Sequence, residues 1–233
     1  MTETYHLEYE NVQITFRHNV IHTMCASYRT SSPADFAIKI THADIEYERV
    51  LATQPGYSDT YLETLAVYRK IAERMPDYDT FLFHGSCVSV DGQGYVFTAK
   101  SGTGKSTHTR LWRELLGDRA VMVNDDKPLV RVNEDGSAVA YGTPWDGKHR
   151  LSNNIAVPLK SICILERAAD NSIREITKVE ALPMLIQQAY RPSDPVALSK
   201  TLALIDRLDV KLYRLSCNMD ISVAALSYET MKG

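Results

Sequence analysis

The N-terminal third of the chain alternates apolar and polar residues over short stretches. Val12-Gln13-Ile14-Thr15-Phe16 and Phe36-Ala37-Ile38-Lys39-Ile40 read as half-buried strands, with a Ser31-Ser32-Pro33 loop between them. The period then changes. Over 58–75, Tyr61, Leu62, Leu65, Ala66, Tyr68 and Ile71 fall on one helical face, with Ser58 or Asp59 as cap. Phe81 to Val90, the Asp91-Gly92-Gln93-Gly94 turn and the apolar run Tyr95-Val96-Phe97 predict a hairpin whose second strand is buried on both faces. Further along, 132–141 reads as a hairpin turning at 133–136, and 162–166 as a buried strand. Helices are predicted over 179–190 and 195–208, split by Arg191-Pro192-Ser193-Asp194-Pro195. An edge-like strand over 211–215 and a short helix from Asp220 complete the pattern.

Between the buried strand at 95–97 and an amphipathic run containing Thr109, Leu111, Trp112 and Leu115 lies Ala99-Lys100-Ser101-Gly102-Thr103-Gly104-Lys105-Ser106-Thr107. Strand, glycine-bearing loop and helix in that order form a phosphate cradle. The glycines permit positive φ, and successive N–H groups converge at a helix N-terminus whose dipole favours an anion. Ser101 to Thr107 are therefore the candidate nucleotide-binding residues, with Lys105 reaching the β- and γ-phosphates and Ser106 a Mg²⁺ ligand. Ala99 stands where the motif usually has its first glycine.

Two further pieces flank this loop. Val121-Met122-Val123-Asn124-Asp125-Asp126 is an apolar strand, expected beside the loop strand, that ends in two carboxylates. Side chains alternate along a strand, so one Asp can face a metal while the other faces an acceptor. The same residues with Lys127-Pro128 also make good turn composition. His84 sits where the preceding strand gives way to Gly85, a place that suits a hydrogen-bonded turn residue as well as a catalyst.

Taken in order, His84-Gly85-Ser86-Cys87-Val88, Ser101 to Ser106 and Asp125-Asp126 resemble the catalytic domain of HPr kinase/phosphorylase, whose P-loop fold is shared with ATP-dependent phosphoenolpyruvate carboxykinase. The matching stretch runs over about 81–131. A looser likeness over 141–148 and 161–165 is to compact kinases of peptide-modification clusters, such as lasso-peptide kinases. The resemblance implies an α/β fold: a phosphoenolpyruvate carboxykinase/HPr kinase-like P-loop core over 79–233, with a small β-rich lobe carrying one helix over 1–78. It implies an ATP- and Mg²⁺-dependent phosphotransferase acting on a hydroxyl, with serine of a peptide or small protein as the expected acceptor. Carried over residue by residue, Asp126 is the general base, Asp125 and Ser106 lie near the metal, and His84 lies close to the transferred phosphate. A small-metabolite kinase and a non-catalytic nucleotide-binding regulator stay as alternatives.

Departures narrow the acceptor. No counterpart of the Glu-Ile-Arg-Gly segment of HPr kinase is present, Thr107 rather than Glu follows Ser106, and 1–80 does not match that enzyme's N-terminal domain. These features argue against HPr as acceptor. Cations that could hold an acceptor or leaving group follow the Trp145-Asp146-Gly147 turn: Lys148 first, then His149 and Arg150, which read equally as a solvated loop end. Trp145 could be a platform for a base or a packed turn residue. His108 and Arg110 place cations in the first helical turn, against the dipole.

Composition sets outer bounds. The 233 residues are 44% hydrophobic, enough for a proper core, and the net charge of −3 lacks the basic stripe of a nucleic-acid binder. No apolar run approaches the roughly 18 residues of a membrane span. The start, Met-Thr-Glu-Thr-Tyr-His, has no signal-peptide pattern, so a cytoplasmic enzyme is expected, with homo-oligomers allowed. The 4 cysteines are scattered without zinc spacing, and Cys87, Cys163 and Cys217 read as buried thiols.

Overall fold

A computed structural model describes residues 1–7, 10–52 and 54–233 and divides them into two compact units, Met1–Met75 and Pro76–Gly233. In the first unit, β1 (Thr2–Leu7) and β2 (Glu10–Thr15) pair antiparallel, and β3 (Phe36–Lys39) joins β2 in parallel. Helix α1 (Val20–Met24) sits between the strands, and α2 (His42–Leu51) and α3 (Asp59–Arg74) follow them. The pattern had marked only α3. Helix α2 escapes it because just Ile45 and Glu48 are buried on its inner face, but a Thr41/Asp44 capping box defines its start. Ser58 caps α3, accepting from the Tyr61 amide. Glu63, fully buried on α3, accepts from the amides of Arg17 and His18 and pairs with His18 Nδ1 at 2.7 Å. Among the described residues Tyr5 and Tyr28 are buried in packing, and His18 braces the start of α1 through Glu63.

The second unit is an α/β domain. Its strands in chain order are β4 (Thr80–Leu82), β5 (Ser86–Val90) and β6 (Gln93–Thr98), then β7 (Ala120–Asn124) after helix α4 (Lys105–Leu116). The hairpin of β8 (Leu129–Val132) and β9 (Ala138–Tyr141) leads into β10 (Ala156–Arg167). After β11 (Ser172–Glu175) come helices α5 (Lys178–Gln188) and α6 (Pro195–Arg207), then β12 (Lys211–Cys217) and α7 (Ser222–Met231). Among the described residues the sheet has nine strands, in the order β4-β8-β9-β10-β6-β5-β7, with β12 also pairing β10 and β11 pairing β12.

Two expectations about neighbours change. The acid-bearing strand β7 does not touch the loop strand β6. The tight turn at 91–92 places β5 against β6, and β7 pairs the far side of β5. The other side of β6 is held in parallel by β10. Nor is β12 an edge strand, since it lies parallel to β10 and antiparallel to β11.

The apolar runs arise because the sheet is covered on both faces. Val96, Ile162 and Ile164 point into one core with α5 and α6, whereas Tyr95, Phe97, Cys163 and Leu165 point into the other with α4 and α7. In the second core Trp112 is fully buried and donates to Ser227 Oγ at 2.8 Å, and His108 Nε2 meets the same hydroxyl at 3.1 Å. All four cysteines are buried free thiols.

His108 therefore belongs to the core, and its position on the first turn of α4 does not make it an anion contact. Burial pushes its imidazole down to about 4 from the usual 6.5. The unfolded chain takes up this proton from near pH 6.5 downward, but the folded protein does so only near 4. Stability is thus full above about 6.5 and falls by up to about 3 kcal/mol as pH drops towards 4. Urea unfolding between pH 7 and 4.5 should show this slope, and His108→Gln should flatten it relative to the parent.

Candidate active site

The carboxyl end of β6 runs into the loop 99–104, and α4 begins at Lys105. Gly102 (φ 77°) and Gly104 (φ 124°) take backbone angles that L side chains rarely adopt, and no atom lies within 4 Å of where a Cβ would sit. The loop therefore keeps an open concave face. Outside it, Arg167 at the end of β10 donates to the carbonyls of Gly102 and Thr103. Lys105 is 8% exposed and folds back, Nζ donating to Ala99 O at 3.2 Å.

Facing the loop is the turn after β7. Its organiser is Asn124, which is fully buried and uses its whole amide. Nδ2 donates to the carbonyl and hydroxyl oxygens of Thr143 at 2.9 and 3.0 Å, and Oδ1 accepts from the amides of Asp126 and Lys127 at 2.8 and 2.6 Å. Two donors and two acceptors leave nothing unpaired. Thr143 in turn donates to Lys127 O and accepts from the Trp145 amide, which makes the 141–148 stretch a brace for the acid turn. Gly142 permits this approach: a Cβ there would lie 1.8 Å from Asn153 O. The turn composition of 124–128 is thus realised as a turn, and that turn carries both acids.

The two carboxylates sit in different surroundings. Asp125 is buried and accepts from Ser86 Oγ at 2.6 Å, and Ser86 meets Thr109 Oγ1 at 2.9 Å, tying β7, β5 and α4 together. Burial pushes its carboxyl up, against hydrogen bonds from Ser86 and Ser106. Asp126 is half-buried, with Oδ1 3.4 Å from His84 Nε2. Burial also acts to raise Asp126, but the His84 bond and the positive charges of Lys127, His84 and Lys105 outweigh it, so its carboxyl lies below the ordinary value. The Lys105 ammonium is lowered by burial, which Asp126 and Asp125 offset only in part.

His84 is held from a distance. Its Nδ1 lies 2.7 Å from Oε1 of Gln188, a buried residue at the end of α5, and its backbone N–H donates to Gln188 O. With Nδ1–H given to Gln188, only Nε2 faces Asp126; a proton there makes the ring a donor to the carboxylate.

These groups line one cleft of about 700 Å³. Ser101, Gly102, Gly104, Lys105, Ser106 and Thr107 line it from the loop and the start of α4, and His84, Asp125 and Asp126 line it as well, Asp125 within hydrogen-bond reach of Ser106. Thr103, from the same loop, faces a neighbouring pocket. Lys148 lines the cleft together with His149, whereas Arg150 does not: it turns into a left-handed conformation and lines a separate cavity with Arg113 and Asp118. Trp145 is not part of the cleft wall. Sequence reading missed Asn124, Ser86, Gln188 and Arg113. The amide Asn124, two residues before Asp126, carried an Asx-turn signal, but the other three carried none.

The family model described as SynChlorMet cassette protein ScmC matches residues 58–223, well over half of the chain. The chain belongs to the ScmC family. Among solved structures, the Hpr(Ser) kinase/phosphatase from Coxiella burnetii is similar to this ScmC-family protein at 12% identity and a TM-score of 0.40, over 65% of this chain and 99% of that one. No curated protein matches it in sequence. No helix among the described residues is long and apolar enough to cross a membrane.

Proposed function

We propose that this ScmC-family protein is an ATP- and Mg²⁺-dependent kinase that transfers the γ-phosphoryl group to a hydroxyl, serine first, of a peptide or small protein in the cytoplasm. The observation that carries this reading is a pair in one cleft: an anionic Asp126 held by His84, and within range of its charge Lys105 on a glycine-bearing loop. The ordered His-Gly, P-loop and Asp-Asp segments support it, as does the likeness to compact kinases of peptide-modification clusters.

Phosphoryl transfer asks mainly for positioning and charge neutralisation. The loop N–H groups and Lys105 hold the donor phosphates. The acceptor oxygen attacks the γ-phosphorus, the bond to the β-phosphate oxygen breaks, and the hydroxyl proton passes to Asp126, leaving ADP and a phosphoester. His84, itself held by Gln188, keeps Asp126 in place.

The residues present fit a Mg²⁺ ion. Among the described residues no group of three or more His, Cys, Asp or Glu side chains is arranged for a metal, but Ser106 and Asp125 are hydrogen-bonded neighbours on the cleft wall. One hydroxyl and one carboxylate are hard oxygen donors, enough for a cation that keeps several waters. When bound there, Mg²⁺ supplies charge neutralisation on the β- and γ-phosphates.

Incubation with γ-labelled ATP, Mg²⁺ and serine-containing peptides encoded near its gene should place label on a peptide serine. Turnover confined to free serine or a sugar would make this a small-metabolite kinase. ATP binding without any turnover would favour a regulator, a reading opposed by the joint presence of Lys105, Ser106, Asp125 and Asp126.

A further inference from the structure

A second pocket, of about 330 Å³, lies on the other side of the phosphate loop and takes no part in the chemistry above. Gly104 and Thr107 line both it and the main cleft. A ligand with phosphates on the loop can therefore extend from one into the other without leaving the protein surface. The remaining walls come from the carboxyl ends of β10 and β12, which run parallel to the loop strand β6. That edge of a parallel sheet is where ligands collect in open α/β folds.

The chemistry of the walls differs from that of the cleft. Leu111, Ala168, Cys217 and the uncharged ring of His108 form a largely apolar floor. Burial raises the Cys217 thiol, so it stays neutral. The one cation, Arg167, is already committed to the carbonyls of Gly102 and Thr103. Its planar guanidinium is thereby fixed at the pocket wall, a surface on which a flat ring can stack. At the rim Met219 is 66% exposed, a soft thioether with no apolar cover of its own. Asn171 and Asn218 lock the two loops behind it, Asn171 Oδ1 accepting from the Asn218 amide at 2.8 Å.

We infer that this pocket receives the nucleobase of the phosphoryl donor, seated between Arg167 and Met219 over the floor of Leu111, Ala168 and Cys217. The inference rests on the donor-binding reading of the loop and adds where, and by what chemistry, the base is held. A neutral apolar slot suits an uncharged heteroaromatic ring and disfavours a second phosphate or a charged peptide group.

The test separates base from phosphates by comparing ATP with inorganic tripolyphosphate in calorimetry on the full chain. Ala168→Trp, which fills the slot, should weaken ATP by at least about tenfold while leaving tripolyphosphate unchanged. Met219→Trp, at an exposed position, should change its fluorescence on adding ATP and not on adding tripolyphosphate, and it decides the matter alone if Ala168→Trp does not fold. ATP binding that ignores Ala168→Trp and leaves Met219→Trp silent would overturn the base site and spare the loop. Failure of both ATP and tripolyphosphate to bind the parent protein would overturn the loop reading and this inference with it.

Discussion

Asp126→Asn is expected to lower ATP-dependent transfer by about 10²–10⁴-fold, the usual range for loss of a general base, while ATP affinity stays within about twofold. The substitution keeps the size of the side chain and its hydrogen bond to His84 and removes only the charge. Because the Asp126 carboxyl sits below its ordinary value, it is anionic at neutral pH and stays so as pH falls through the usual carboxylate range. Its titration therefore places no limb in the rate profile between about pH 5 and 8. Single-turnover transfer from γ-labelled ATP, with calorimetry for binding, measures both terms. Loss of ATP affinity with transfer reduced only in proportion would instead move Asp126 to the metal. Asp125→Asn should then be the variant that spares affinity.

Lys105→Ala should abolish measurable transfer and weaken ATP by about 10²–10³-fold, since it removes an ammonium held at the loop beside two carboxylates. Without it the donor phosphates would meet Asp125 and Asp126 with one cation fewer between them. The same change should leave the thermal midpoint of the ligand-free protein unchanged or raised. Burial lowers the Lys105 ammonium below its ordinary value, so at neutral pH the folded protein holds this proton less well than the unfolded chain does. Removing the group relieves that cost. A merely structural lysine would behave oppositely, with a falling midpoint and ATP affinity little changed.

Much of the core was legible because its signals are local. Val96, Tyr95 and Phe97 alternate between two cores, so the strand reads as an unbroken apolar run, and Gly102 and Gly104 announce a backbone that other residues rarely adopt. Ser58, Thr177 and Asp194 each cap the helix they precede. Strand neighbours were not legible. That β5 separates β6 from β7, and that β12 is covered on both sides, follows from pairing choices between runs of similar composition. Helix α2, short and weakly apolar, was hidden for want of a buried stripe.

The sequence by itself determined the glycine-bearing loop between β6 and α4, with its Lys105 and Ser106, and the Asp125-Asp126 turn, because strand, loop, helix and acid turn are each written in contiguous residues. Only the tertiary structure decided how those pieces act together. It brought Gln188 to His84 across 104 positions of chain, Ser86 to Asp125 across 39, and Arg167 to the loop carbonyl of Gly102 across 65. It also placed Lys148 on the cleft and Arg150 off it, though they are two residues apart. Contacts of that kind leave no periodic trace along the chain. They exist only once the two cores have closed on the sheet and fixed which strand ends share an edge.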